Sequence, residues 1–359
     1  MASRSETNAR AAALRARFEA AGAVVVEPPI LQPADTLLDL YGEDIRARAY
    51  VTHDPLRGEQ MLRPDFTVPV VEMHMAGGAE PARYTYAGEV FRRQEDDPAR
   101  ASEYVQVGFE IFDRHAPAEA DAEAFHLISQ ALAHVNARPV MGDIGILMAA
   151  VDGLDTSAPR KAALMRHIWR PHRFRALLDR FAGACAGSET RAAVLAGSVV
   201  PGAPLIGLRS KHEIEARITN LREDAEVPPL AASAVAALDA LLAVSGPLPQ
   251  ALSALRDLSS QIPAIAAALA LLEERALALQ ARGIAVETLP FEASFGRTLM
   301  EYYDGFVFAF HSPYGPDGAP LASGGRYDAL TRQLGGGRSI PAVGGVMRPG
   351  LLLDVEQGT

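Results

Sequence analysis

Three stretches decide how this chain folds: LRPDFT at residues 62–67, YAGEVFRR at 86–93 and EYVQVGFE at 103–110. Residues alternate in character in the segments 83–87 and 104–112, which predicts two strands on either side of the charged loop 92–100. A loop of this kind is either solvated or in contact with a substrate. On the second strand Gln106 and Glu110 are four residues apart, so their side chains lie on the same face.

The rest of the chain divides into a mixed α/β part and a helical part. Residues 10–21 and 121–137 have helical spacing, whereas Val24–Val26, 284–287 and 302–310 read as strands. From about 156 to 282, Ala, Leu, Arg and Glu recur at every third or fourth position, which predicts an all-helical block. We therefore predict an α+β domain formed by residues 1–155 and 283–359, with residues 156–282 as a helical insertion.

Composition and charge exclude several classes of protein. The chain has 359 residues, 49% of them apolar, and 34 Lys and Arg against 44 Asp and Glu, a net charge of −10. That length and apolar content exclude a disordered chain and suit two or three domains. The negative charge argues mildly against a nucleic-acid-binding protein, because such binding is largely electrostatic.

Cysteine use and the N-terminal sequence are compatible with a protein of the cytoplasm. Cys185 is the only cysteine, which excludes an intramolecular disulfide and a cysteine metal cage. The longest nearly apolar run, 262–272, is well short of the ~20 residues that a membrane span needs. The N-terminus lacks the apolar core of a signal peptide. We therefore expect a soluble, unexported protein with no membrane partner, and the cytoplasmic location is implied by the family resemblance given below.

Generic catalytic and metal-binding motifs are absent from the sequence. It has no GxxxxGK(S/T) loop and no nucleophile elbow. GGGR at 335–338 lacks the flanking strand and helix of a phosphate loop, so it predicts an ordinary turn. His167 and His172 flank Pro171 without acidic residues at ligand spacing, which favours a surface or capping role over a metal site. We expect neither a metal nor a cofactor.

The three stretches together resemble the core of class II aminoacyl-tRNA synthetases, and of histidyl-tRNA synthetases in particular. That family has an LRPE-T segment, a strand-loop-strand entered by FR, and a Q-x-x-x-E on the return strand. Further along, EYYDGFVF at 301–308 is similar to the family's RGLDYY-x-x-x-VF, and SGGRYD at 323–328 to its GGRYD. Residues 22–29 resemble the dimer-forming motif 1. The resemblance implies a class II synthetase-like antiparallel sheet flanked by helices.

The resemblance also implies a histidine-binding pocket, lined by Asp65, Thr67, Arg92, Gln106, Glu110, Tyr302 and Tyr303. The residue types fit this ligand, since carboxylates can bind an amine and Gln and Thr can hydrogen-bond to an imidazole. Tyr302 and Tyr303 are expected on opposite faces of a strand, so that at most one packs on the ligand. The alternative interpretation is that these are solvent-exposed strand residues or residues paired within the hairpin. The ordered motifs favour the pocket.

Two of the three arginines that this family uses to bind ATP are missing at the matching positions. Arg92 matches the first. The second aligns with Thr298, and Arg297, one place earlier in an extended segment, is expected to point to the opposite face. The third aligns with Leu351, although Arg348 could be a misaligned remnant. Because the loss of catalytic groups lowers a rate by orders of magnitude, we expect no histidyl-tRNA synthesis and no catalytic residues.

The sequence ends at Thr359, directly after the third motif, which predicts that the family's C-terminal anticodon-binding domain is absent. A synthetase core with these losses resembles the regulatory subunits of short-form ATP phosphoribosyltransferase. The resemblance implies a homodimer, a hetero-octamer with a separate catalytic subunit, and control of the first step of histidine biosynthesis by histidine. Histidine could bind the inherited pocket or the subunit interface. The block 156–282 could contact the partner or cover the core.

Two other functions remain open from the sequence. Arg92 and the pocket are compatible with a free-standing histidyl-tRNA synthetase-like enzyme that activates an amino acid without tRNA. The third hypothesis is an uncoupled histidine-sensing or RNA-binding module, and the net charge argues against binding of RNA.

Overall fold

The computed structural model describes residues 2–35, 49–94, 101–185, 188–198, 207, 209–297, 302–314 and 319–358. The strands are β1 (Val24–Val25), β2 (Leu31–Pro33), β3 (Val51–Asp54), β4 (Gly58–Leu62), β5 (Ala82–Phe91), β6 (Glu103–Phe112), β7 (Arg138–Asp143), β8 (Ser245–Pro247), β9 (Pro290–Glu292), β10 (Phe306–His311), β11 (Ala322–Arg326) and β12 (Ala342–Met347).

The α-helices are α1 (Arg4–Ala20), α2 (Thr67–Met75), α3 (Pro117–Leu132), α4 (Ile144–Asp152), α5 (Ala158–Arg166), α6 (Pro171–Phe181), α7 (Glu189–Leu195), α8 (Lys211–Glu226), α9 (Ala232–Leu242), α10 (Leu248–Ser259), α11 (Ala266–Ala281), α12 (Asp328–Leu334) and α13 (Pro349–Glu356). Among the helices that the described residues form, none has both the length and the apolar character needed to cross a membrane.

A nine-stranded sheet lies at the centre of the described residues, in the order β1-β5-β6-β12-β11-β10-β7-β9-β8. Neighbouring strands are antiparallel, except that β1 runs parallel to β5 and β7 parallel to β9. Strands β2, β4 and β3 form a smaller antiparallel sheet. This arrangement confirms the predicted α+β fold, with a mainly antiparallel sheet flanked by helices.

The long hairpin predicted around the charged loop is formed by β5 and β6. The two strands pair over ten residues each, from Ala82 opposite Phe112 to Phe91 opposite Glu103. The prediction of two flanking strands is therefore confirmed, and both strands extend further toward the loop than the sequence pattern indicated. Residues 95–100 of the loop lie outside the described residues.

One face of the large sheet carries the aromatic core. Phe109 of β6 stacks on Phe18 of α1 with ring centroids 5.2 Å apart, and Phe125 of α3 meets Phe308 of β10 at 5.4 Å. Side chains alternate between the faces of a strand, so residues 106, 108 and 110 project away from this core. The opposite face of the sheet is thereby left for the polar residues singled out above.

The block 156–282 departs from the predicted helical pattern at one place. Its described residues form helices α5–α11, but Ser245–Pro247 forms strand β8, which pairs with β9 at the edge of the sheet. Gly246 adopts a φ of +138°, and a proline follows it, so α9 cannot continue through this point. The prediction of an all-helical block is therefore wrong at β8. The division of the chain into a core and an insertion stays a prediction.

Two predicted strands near the C-terminus also differ from the structure. Residues 284–287 overlap a 3-10 turn at Val286–Thr288, and the segment expected to be a strand from residue 302 becomes one only at Phe306. The carboxylate of Asp304 accepts the backbone N–H groups of Asp328 at 2.9 Å and Ala329 at 2.6 Å. These contacts tie the segment before β10 to the start of α12 instead of to a neighbouring strand.

The GGGR segment is the ordinary turn that the sequence predicts. It follows α12, and Gly336 and Gly337 adopt φ angles of +60° and +96°, which glycine adopts without strain. Arg338 then donates to the backbone carbonyl of Met75 at 2.6 Å, so the turn ties α12 to the C-terminal end of α2.

Candidate ligand-binding site

The register of the central strands gathers the predicted polar residues on one side of the sheet. Gly88 lies opposite Gln106 and Tyr86 opposite Gly108, while Glu110 lies between Tyr84 of β5 and Gly344 of β12. The predicted shared face of Gln106 and Glu110 is confirmed. Four predicted polar side chains are almost fully buried: Asp65 (3% exposed), Thr67 (5%), Gln106 (1%) and Glu110 (1%). The alternative of solvent-exposed strand residues is therefore wrong.

The carboxylate of Glu110 is held by three hydroxyl groups. Thr67 Oγ1 at 3.1 Å and the Tyr86 hydroxyl at 2.8 Å donate to Oε1, and the Tyr327 hydroxyl donates to Oε2 at 2.5 Å. No Lys or Arg of the described residues forms a salt bridge with it. Thr67 was predicted from the sequence, whereas Tyr86 and Tyr327 were missed although both lie in the quoted motifs.

Burial raises the pKa of Glu110 to about 7, with a further increase from the nearby charge of Asp65, while the three hydroxyl groups act in the opposite direction. A carboxyl with this pKa is partly protonated near neutral pH. It can therefore bind a cationic group as a carboxylate or share a proton with a weak base such as imidazole.

Two glycines create the space for this cluster. A Cβ atom on Gly344 would lie 1.5 Å from Oε2 of Glu110, and one on Gly108 would lie 2.1 Å from the ring of Tyr86. Both distances are far inside van der Waals contact, so no larger residue fits without displacing the carboxylate or the ring. The sequence contained these glycines in its strands, but it held no signal of what they face.

Tyr302 and Tyr303 lie together rather than on opposite faces. Their ring centroids are 4.9 Å apart at nearly a right angle, and the ring of Tyr302 lies 6.1 Å from that of Tyr327. The prediction of opposite faces is wrong because both residues precede β10, so strand alternation does not apply to them. Burial and then the charges of Glu110 and Asp65 raise the pKa of Tyr303, so its hydroxyl lies within electrostatic range of the polar cluster.

The arginines singled out in the sequence have different surroundings. Arg92 donates to the carbonyl of Pro64 at 2.8 Å and lies close enough to Tyr303 to lower its pKa, so it borders the site. Arg297 donates instead to the carbonyl of Ile168 at 2.8 Å, in the segment between α5 and α6.

The remaining positions of the ATP-binding pattern lie elsewhere. Thr298 lies outside the described residues. Leu351 is on α13. Arg348 is the residue at the N-terminal boundary of that helix, and its guanidinium lies 5.5 Å from the ring centroid of Tyr104. In the described part of the chain, no three His, Cys, Asp or Glu side chains are grouped so as to hold a metal ion.

A buried ionic cluster lies beside Tyr327. Arg275 of α11 donates to Asp121 and to Asp143, both at 2.7 Å, and Arg326 donates to Asp121 at 2.6 Å and to Asp328 at 3.1 Å. Tyr327 lies in the chain between Arg326 and Asp328, so this cluster orients the backbone that presents its hydroxyl to Glu110. The SGGRYD motif thus contributes Arg326 and Asp328 to the ionic cluster, and Tyr327 to the group of hydroxyls around Glu110.

The fold and this pocket define a protein of the class II, histidyl-tRNA synthetase type. A family model described as histidyl-tRNA synthetase matches residues 2–196 and 210–350. An ATP phosphoribosyltransferase regulatory subunit/histidyl-tRNA synthetase from Bacillus halodurans has the same fold, with a TM-score of 0.68, 21% identity, and coverage of 98% of this chain and 79% of that one. A histidine–tRNA ligase subunit from Alicyclobacillus acidocaldarius gives a TM-score of 0.61 at 24% identity, covering 99% and 93%.

Relatives with a higher sequence identity define the family within this class. The ATP phosphoribosyltransferase regulatory subunit of Brucella anthropi is 33% identical over 355 residues, covering 92% of this chain and 93% of the relative. The protein of the same name from Mesorhizobium japonicum is 35% identical over 350 residues, covering 91% and 92%. The chain belongs to the family of ATP phosphoribosyltransferase regulatory subunits.

Proposed function

We propose that this protein is the non-catalytic regulatory subunit of a short-form ATP phosphoribosyltransferase in the first step of histidine biosynthesis. It activates a separate catalytic subunit, and histidine bound in the pocket of Glu110 controls that activation. The observation that carries the proposal is the 33% identity, over nine-tenths of the chain, to a relative named for this role.

The arginines support a role without amino-acid activation. A synthetase stabilises the charge that develops on ATP with preorganised cations. Of the three matching positions, the first holds Arg92, which borders the site, and the second and third hold Thr298 and Leu351, which carry no charge. Arg297, next to the second position, donates to the carbonyl of Ile168 between α5 and α6. The pocket for an amino acid is thus retained without the full set of cations for its activation.

The Glu110 site suits histidine as a regulatory ligand. Glu110 accepts three hydroxyl hydrogen bonds and, having four lone-pair positions, retains the capacity to accept one more from an imidazole. Asp65 adds a second carboxylate for the amino group. Regulation then requires that histidine binds one state of the complex more tightly than another, since only that difference shifts activity.

The assembly that we propose is a homodimer of this chain, joined with catalytic subunits in a hetero-octamer of the cytoplasm. Exposed apolar side chains in the segment that begins with the motif 1-like residues support the dimer. They include Val24 (61% exposed), Leu31 (47%) and Leu56 (93%). Exposed groups of this size are typical of surfaces that pair with another protein.

Reconstitution tests the proposal directly. The purified chain is mixed with a short-form catalytic subunit, and phosphoribosyl transfer to ATP is measured with and without histidine. We expect stimulation by the chain and inhibition by histidine; a catalytic subunit that is equally active alone contradicts the proposal. The chain alone is then assayed for histidine-dependent ATP–pyrophosphate exchange, for which we expect no signal. Exchange would support the amino-acid-activating enzyme.

A further inference from the structure

The strongest concentration of one charge in the chain lies where α5 meets α6. Between Asp155 and Asp179 there is no acidic residue, whereas the basic residues are Arg160, Lys161, Arg166, Arg170, Arg173 and Arg175. The net charge of the whole chain is −10, so this concentration opposes the general trend. We call residues 166–173, which join the two helices, the basic turn.

Two arginines of the basic turn have no partner within the described residues. Outside the turn, Arg160 is paired with Asp224 at 2.6 Å, and Arg175 with Asp179 at 2.9 Å and with Asp239. Arg166 and Arg173 are exposed, and no described carboxylate forms an ion pair with either of them. Their charges are therefore directed to solvent.

A buried guanidinium beneath the turn adds to its positive charge. Arg297 is only 6% exposed, donates to the carbonyl of Ile168, and lies 4.9 Å from the ring centroid of Phe174. Its Nη2 atom is buried without a hydrogen-bond acceptor, and burial lowers its pKa. Buried arginines are normally paired, as Arg275 and Arg326 are here. Arg297 instead has no described carboxylate to neutralise it.

We propose that the basic turn is a docking site for an acidic, carboxylate-bearing surface of a protein partner. The inference rests on the proposed function, which supplies that partner as the catalytic subunit. Complementary charge at the rim of an interface speeds association and selects the partner. Arg166 and Arg173 supply the exposed charge, and Arg297 strengthens it from beneath.

The shape of the turn favours a protein over a nucleic acid. Its largest ring, that of Trp169, is half-buried, and the indole N–H donates to the carbonyl of Tyr303 at 3.1 Å, while Ile168 is fully buried. The exposed ring of the turn is the small imidazole of His172, and the turn offers no exposed Trp, Tyr or Phe ring on which bases could stack. A long polyphosphate would also meet the negative charge of the remaining surface.

Two hydrogen bonds, from Trp169 to Tyr303 and from Arg297 to Ile168, connect the basic turn with the ligand site. Trp169 donates to the backbone of Tyr303, and Ile168 accepts a hydrogen bond from the side chain of Arg297, so Tyr303 and Arg297 are both anchored on the turn. Tyr303 is in turn near enough to Glu110 for the charge of that carboxylate to raise its pKa. A partner seated on the turn is thus one hydrogen bond away from Tyr303.

Charge reversal tests the docking site. The double variant Arg166→Glu/Arg173→Glu is compared with Arg217→Glu/Arg222→Glu, which changes the net charge equally at exposed positions of α8. Affinity for the catalytic subunit is measured by calorimetry at about 50 and about 300 mM NaCl. We expect the first variant to bind at least about tenfold more weakly with a flatter salt dependence, and the second to bind like the wild type.

The outcomes separate this inference from the proposed function. If wild type neither binds nor activates the catalytic subunit, the proposed function fails. If wild type activates it and the two double variants bind equally well or equally weakly, only the docking site is contradicted. Fluorescence anisotropy with labelled tRNA at physiological salt completes the test: binding that Arg166→Glu/Arg173→Glu abolishes would overturn the assignment to an acidic protein. Circular dichroism checks that both variants are folded.

Discussion

Two polar clusters lie side by side in this protein, and they stabilise their buried carboxylates with different partners. The Arg275 cluster consists of Asp121, Asp143, Arg275, Arg326 and Asp328, and the Glu110 cluster consists of Glu110, Thr67, Tyr86 and Tyr327. In the first, each carboxylate has an arginine within 3.1 Å. In the second, the partners that the described residues supply to the carboxylate are all hydroxyl groups.

The difference separates a structural role from a binding role. Burial opposes the charge of Arg275, yet the attraction of Asp121 and Asp143 raises its pKa, so Arg275 stays charged and joins α11, α3 and β7. Burial raises the pKa of Asp143, and the charge of Arg275 acts against that increase. Glu110 has no such cation among the residues that the structure describes, and burial raises its pKa to about 7. A carboxyl that lacks an internal cation is available to one from outside, which is what a ligand site requires.

Substitution of Arg275, which is the cation shared by Asp121 and Asp143, should have the largest effect on the stability of the fold. Arg275→Met leaves Asp143 buried without its arginine, and loss of one partner of a buried pair typically costs about 3–5 kcal/mol. We expect a loss of this size in the free energy of unfolding, measured with urea. Arg256→Met, at an exposed pair with Glu273, is the control and should change it by less than about 1 kcal/mol. Equal effects would mean that the buried cluster does not stabilise the fold.

A substitution in the Glu110 cluster should change the affinity for histidine. Glu110→Gln keeps the shape of the side chain but removes the carboxylate, so calorimetry should show histidine affinity reduced about ten- to a hundredfold. Glu103→Gln, on the exposed end of the same strand, serves as control and should bind normally. Unchanged affinity in Glu110→Gln would place the regulatory histidine at the subunit interface.

The raised pKa of Glu110 predicts how stability depends on pH. Its value rises from an ordinary 4.5 to about 7 on folding, so between these values the folded state binds more protons than the unfolded state. The free energy of unfolding must then fall as pH rises through this window, and the contribution levels off above it. Denaturation at pH 5 and pH 8 should show a decline that is about 2–3 kcal/mol smaller in Glu110→Gln.

Asp304 offers an internal check on that measurement. Burial and then the charge of Asp328 raise its pKa to about 7 as well, so it adds a decline of the same sign. This contribution is present in wild type and in Glu110→Gln alike, and the difference between the two isolates Glu110. Parallel curves for both proteins would contradict the assigned pKa.

The smallest effect is expected where the pocket meets the basic turn. Trp169→Phe keeps the aromatic ring but removes the hydrogen bond to Tyr303, worth about 1 kcal/mol. We expect normal affinity for the catalytic subunit and a shift of about fivefold in the histidine concentration that half-inhibits the complex. An unaltered histidine response would show that this contact does not couple the two sites.

The strand pattern predicted a substantial part of the site. Gln106 and Glu110 share a face because the side-chain period of a strand is two, and this period needs no knowledge of neighbouring elements. The same rule failed at Tyr302 and Tyr303, because the hydrogen bonds of Asp304 to α12 keep that segment out of the sheet. Contacts between residues distant in sequence decided that case.

The sequence by itself determined the α+β class, the long hairpin, the order of the motifs and the family that they resemble, because these depend on local periodicity and on residue types at short spacing. Only the tertiary structure decided that Tyr86 and Tyr327 hold Glu110 and that Gly344 makes room for it. It also decided that Arg297 lies beneath the basic turn. These facts depend on strand register and on packing between distant segments, which one-dimensional patterns do not encode.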